Sequence, residues 1–92
     1  IKAVVDINKK VLAVDGELHA DLEGLLIKKG SRQEDLWGIN LYLRKAEQDW
    51  IEYTALINIR PSMDNRSMDI RDASIRAEID KIVRQLILNK HV

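Results

Sequence analysis

Ninety-two residues make one domain, enough chain for a single modest core but not for two. Lys and Arg together number 15 and Asp and Glu together 15, so the formal net charge is zero, which argues against nucleic acid or anionic lipid as a partner. Cysteine is absent, which excludes disulfides, thiolate metal sites and cysteine nucleophiles, and no apolar run approaches the roughly 20 residues of a membrane span.

Lys2 to Ile7 and Val11 to Val14 are β-branched runs separated by Asn8-Lys9-Lys10, the spacing of a hairpin with a short loop. Asp15-Gly16 interrupts the second strand as a bulge or turn, and Glu17 to Ala20 is expected to continue it. Asp21 is the expected N-cap of a helix over Leu22 to Lys29, with Leu22, Leu25 and Leu26 on one stripe and Gly30 as the left-handed stop. Gly24 weakens that helix by about 1 kcal/mol relative to Ala, so packing must hold it.

Ser31-Arg32-Gln33-Glu34 has capping-box spacing and predicts a single turn. Trp37 to Leu43 reads as a third strand in which Ile39, Leu41 and Leu43 alternate with polar or small residues. After a charged connector, Trp50 to Arg60 gives the clearest alternation in the chain. Ile51, Tyr53, Ala55, Ile57 and Ile59 share one face of this expected fourth strand; Glu52, Thr54, Asn58 and Arg60 share the other. A Pro61–Arg71 loop leads to a final helix capped by Asp72, with Ile75, Ile79, Ile82, Val83, Leu86 and Ile87 at helical spacing. The order β-β-α-β-β-α predicts an α+β fold: a four-stranded antiparallel sheet with both helices on one face.

Two clusters carry chemistry. Glu17, His19 and Asp21 alternate, so on a strand all three would project together as a metal site or as a base with its orienting acid. The plainer reading makes Asp21 a cap, Glu17 a solvated residue and His19 a boundary histidine. Asn58, Arg60, Ser62, Asn65, Arg66 and Ser67 gather around the loop after the fourth strand. Guanidinium forks pair with carboxylate or phosphate, and hydroxyls and amides add neutral donors. The plainer reading here is a turn built from Pro, Ser, Asp and Asn, with Arg60 paired to Glu52 or Glu34. Trp37 and Trp50 are interface anchors or bulky core pieces, and a chain without Phe favours the core.

Three blocks stand out: Gly-Glu-Leu-His-Ala-Asp at 16–21, Gly-Ser-Arg-Gln-Glu-Asp-Leu-Trp-Gly at 30–38 and Ile-Asn-Ile-Arg-Pro-Ser-Met-Asp-Asn-Arg-Ser at 57–67. In these the chain resembles a family of small prokaryotic proteins classed as a domain of unknown function. The resemblance implies an upstream helical segment before residue 1 and no activity. The chain starts at Ile1 rather than Met, so residues 1–92 are expected to be a single domain following such a segment. The expected protein is small and cytoplasmic and binds a polar or anionic small molecule, with Arg60 and Arg66 as anchors and Asn58, Ser62 and Asn65 orienting. The alternative is an interaction module whose polar sheet face forms a homodimer or partner interface. No reaction, catalytic residue or cofactor is assigned by the residues.

Overall fold

A computed structural model describes residues 1–88. Its elements are β1 (Lys2–Asp6), β2 (Val11–Val14), α1 (His19–Lys28), β3 (Leu36–Leu41), β4 (Ile51–Glu52) and α2 (Ala73–Leu88). Single 3-10 turns lie at Gln33–Asp35, Glu47–Asp49, Leu56–Asn58 and Pro61–Met63. The four strands form one antiparallel sheet in the order β2-β1-β3-β4, with Val4 opposite both Ala13 and Gly38. The α+β class and the element order are as expected.

The helices do not share a face. Successive strand residues point to opposite sides of a sheet. Ala3, Val5, Trp37, Ile39 and Leu41 pack with Ile79, Ile82 and Val83 of α2. Val4 and Leu36, on the other side of the same strands, pack with Leu22 and Leu26 of α1. The sheet is thus the middle of three layers. This explains why β1 is buried on both faces from Ala3 to Asp6 rather than alternating.

Asp6 fixes the hairpin. Its Oδ1 accepts the backbone N–H groups of Asn8 (2.9 Å) and Lys9 (2.8 Å), and its Oδ2 accepts the Ser31 hydroxyl at 2.6 Å. Lys10 closes the turn in the left-handed region at φ 58°. Ser31 is therefore not the cap of a capping box; it is a buried tie between the hairpin and the end of α1.

Two local expectations near α1 also fail. Residues 17–20 do not extend β2, because α1 already begins at His19 and its N-cap is Leu18. Asp21 lies inside the first turn, where a carboxylate complements the helix dipole without capping it. The stop is as expected: Gly30 takes φ 103°, with Gly30 N–H bonded to Ile27 O (3.0 Å) and Ser31 N–H to Leu26 O (2.9 Å), a Schellman closure.

The expected long fourth strand is the largest correction. Only Ile51 and Glu52 pair with β3, opposite Leu41 and Asn40. Beyond them the chain makes a bridge from Thr54 to Asp69, then the Leu56–Asn58 turn. The turn breaks the alternation: Ile51 and Tyr53 pack on the α2 side, Ile57 on the α1 side, and Ile59 is exposed. Asn58 and Arg60, expected on the polar face of that strand, are buried. The final helix buries Ile79, Ile82 and Val83 with Ile75 and Ile87 packed beside them, while Leu86 is exposed, and Asp72 Oδ1 accepts the N–H groups of Ser74 (2.8 Å) and Ile75 (3.3 Å). Trp37 and Trp50 are both core residues, and Trp50 Nε1 donates to Lys45 O at 2.9 Å. Among the described residues no helix is long and apolar enough to cross a membrane.

Candidate functional site

The segment from Arg60 to Asp72 is an irregular loop tied together by its own hydrogen bonds. A two-way backbone bridge joins Arg60 and Asn65, with N···O distances of 2.6 and 3.1 Å. Between them Pro61, with φ already near the helical value, opens a 3-10 turn, and Asp64 reverses the chain at φ 58°. Asn65 pins the rest of the loop to this turn. Its Nδ2 lies 2.7 Å from Asn58 O and 3.0 Å from the carbonyls of Ser67 and Asp69, while its Oδ1 accepts Arg71 N–H at 3.0 Å.

Several residues expected to touch a ligand are therefore consumed by the scaffold. Asn58 bonds Gly38 and Met68, and Asn65 is 4% exposed with its amide fully engaged. Arg60 turns inward, its Nη2 3.0 Å from Glu23 Oε2 of α1 and its guanidinium carbon 5.0 Å from the centre of the Trp37 ring. Burial pushes the Arg60 pKa down, and the Glu23 carboxylate pulls it back up. The partner is neither Glu52 nor Glu34. The Arg60 Nε and Nη1 groups and Trp37 Nε1 are buried without a partner among the described residues.

Arg66 and Ser67 remain outside, and Arg60 and Arg66 do not converge. Instead Arg66, Ser67, Asp64 and Arg71 line one open depression of about 330 Å³. Among the described residues, no carboxylate stands within ion-pair distance of Arg66 or Arg71. Asp64 and Arg71 also line a neighbouring cavity of about 250 Å³ that reaches Trp37 and Ile75 at the start of α2. Ser67 Oγ donates to Asp69 O at 3.0 Å, which leaves its lone pairs able to accept from a donor. Ser62 is exposed on the Pro61–Met63 turn and does not line this depression.

Arg71 and Asp64 are the residues that sequence reasoning missed. Arg71 stands five positions beyond Arg66, at the end of the Pro61–Arg71 loop and immediately before the Asp72 cap, where its N–H bonds Asn65 Oδ1. The basic residues of the whole 60–72 segment, rather than those before Ser67, would have included it.

Glu17, His19 and Asp21 are not brought together as the alternation predicts. His19 and Asp21 are on α1, not a strand, and His19 Nε2 lies 2.7 Å from Ile39 O. Among the described residues no three His, Cys, Asp or Glu side chains come together as metal ligands would.

No curated protein and no solved structure matches the chain significantly. A family model does, over residues 1–86, and the chain belongs to the family described as protein of unknown function (DUF5674).

Proposed function

We infer that the protein binds a small oxyanion-bearing ligand, a carboxylate or a phosphate, at the depression between Asp64 and Arg71. The observation carrying this reading is the pair of unpaired guanidinium groups, Arg66 and Arg71, on the wall of one depression. Two like charges on the wall of one depression repel each other, and an anion between them removes the repulsion. The loop backbone is set by Asn65 rather than by the ligand, so ordering on binding is confined to the side chains. Asp64 on the same wall disfavours a bare dianion. It suits a ligand with a hydroxyl or amino group beside its oxyanion, such as a hydroxy acid or an amino acid. Of the residues expected from sequence, Arg66 keeps its anchoring role and Ser67 remains at the site in this reading; Asn58, Arg60 and Asn65 hold the scaffold.

A second reading has its own support. The sheet face bearing Asn40, Glu52 and Thr54 is bordered by Leu18, Met68 and Leu56, the last 70% exposed, around a groove of about 540 Å³. Exposed apolar groups rimmed by polar ones mark interaction surfaces, which favours an interaction module. A thermal-shift screen with phosphate, sulfate, hydroxy acids and amino acids separates the two, because a ligand preferring the folded state raises its midpoint. A rise that Arg66→Ala or Arg71→Ala removes supports the anion site. No rise with any of these compounds favours the interaction module.

A further inference from the structure

The two edges of the sheet are protected unequally. The β4 edge is two residues long and carries Glu52, whose carboxylate already takes bonds from Asn40 Nδ2 (2.8 Å) and Tyr42 OH (3.2 Å). Short length and charge are the usual means of closing an edge. The β2 edge is twice as long, at four residues, and has no charge within its span. Val11-Leu12-Ala13-Val14 is uniformly apolar, without proline, glycine or charge, and Val11 and Val14 are 41% and 46% exposed.

The register shows which backbone groups point outward. Asp15 N–H bonds Lys2 O and Lys10 N–H bonds Asp6 O, with Ala13 opposite Val4. In an antiparallel ladder the bonded pairs alternate, so the N–H and C=O groups of Leu12 and Val14 face away from β1. Their side chains also line a groove of about 570 Å³ on the α2 side, with Ile1, Leu43 and Leu86. Those three are 61%, 40% and 45% exposed.

We propose that a second copy of this chain pairs with β2 edge to edge, antiparallel about a two-fold axis through Ala13. In that register Leu12 of each copy lies opposite Val14 of the other, and both outward-facing pairs of backbone groups are bonded. The ends of the strand select this orientation. Lys9 and Lys10 precede β2 and Asp15 and Glu17 follow it, so antiparallel pairing sets the basic end of each strand against the acidic end of its partner. Parallel pairing would set like against like. The two apolar grooves meet across the axis, as an isologous contact requires. The pairing is independent of the anion site, which lies on the 60–72 loop.

The test is sedimentation equilibrium of the chain from micromolar to millimolar concentration, with amide hydrogen exchange over the same series. The average mass is expected to rise from 10.6 kDa toward twice that value. Exchange at the Leu12 and Val14 amides is expected to slow with it. Val14→Lys, which places two ammonium groups near the axis, is expected to keep the mass at that of one chain; Val14→Pro, which removes only an outward N–H, is expected to weaken association at least tenfold. Circular dichroism reports whether each variant is folded. A monomeric wild type at millimolar concentration overturns the proposal. So does association that persists in either folded variant, or that leaves exchange at Leu12 and Val14 unchanged.

Discussion

The side-chain amide of Asn58 stands where a neighbouring strand would be, beside Gly38 of β3. Gly38 N–H donates to Asn58 Oδ1 at 2.8 Å, and Asn58 Nδ2 donates to Gly38 O at 2.9 Å. One planar amide thus supplies the donor and acceptor that β4 stops short of providing. The fit is close: a Cβ on Gly38 would lie 2.6 Å from Ala55 Cβ and 3.0 Å from Ile57 Cγ1. The loop that carries the candidate site hangs from this pairing through Asn65, which bonds Asn58 O.

Asn58→Ala leaves the N–H and C=O of Gly38 buried and unpaired, and each such group costs about 1–3 kcal/mol. Asn58→Asp keeps the acceptor but sets a carboxylate oxygen against Gly38 O, so it is expected to be at least as damaging. Urea denaturation of both variants checks this; a shift within scatter for either would show that β3 does not depend on Asn58.

The Arg60–Glu23 pair bridges the loop and α1 with side chains 9% and 14% exposed. Arg60→Ala is expected to cost about 3–5 kcal/mol, because it leaves Glu23 uncompensated in a buried place. A double-mutant cycle with Glu23→Gln should recover part of that loss. Additive losses would mean that the two side chains act independently.

Ile79 is fully buried in the cluster between α2 and the sheet. Ile79→Ala should cost about 2–5 kcal/mol through lost burial and the cavity left behind. Thermal melting would read this as a large fall in midpoint, and little change would contradict the packing of α2.

Asp72 caps α2, and its bonds from the Ser74 hydroxyl and the Ser74 and Ile75 N–H groups hold its carboxyl below the ordinary 3.8. A folded-state pKa below the unfolded value adds stability above the unfolded pKa, and that stability is lost as pH falls through the folded one. Asp72→Ala should therefore melt lower than wild type near neutral pH, and the gap should close as the pH drops below about 3.8. A gap that stays constant down to strongly acidic pH would rule out the charged cap.

Local chemistry was legible where one residue settles one turn. Gly30 and Asp72 ended and began their helices for reasons visible in single residues, and the 3.6-residue stripe of α2 named Ile79, Ile82 and Val83 as core. The failures came from tertiary contacts that imitate local patterns. Residues 51–59 alternate as a strand does, yet Asn58 replaces backbone pairing with a side chain and the alternation then serves two different layers. Val4 and Val5 are adjacent and both buried, a sign of a sheet covered on both faces that the placing of both helices on one face overlooked. At the site, polar residue types marked the loop, but turn formers that bind ligands and turn formers that bind the backbone look alike in sequence. Asn65 proved to be the second kind.

The most direct test of the anion site is a ¹H–¹⁵N NMR titration of the protein with phosphate and with a hydroxy acid, repeated on Arg66→Ala and Arg71→Ala. Both arginines are exposed and free of ion pairs among the described residues, so the variants should fold as stably as wild type or slightly better. Saturable shifts at Arg66, Ser67 and Arg71 in wild type, weakened at least tenfold in each variant, are the predicted result. No saturable shift, or shifts that persist unchanged in both variants, would contradict it.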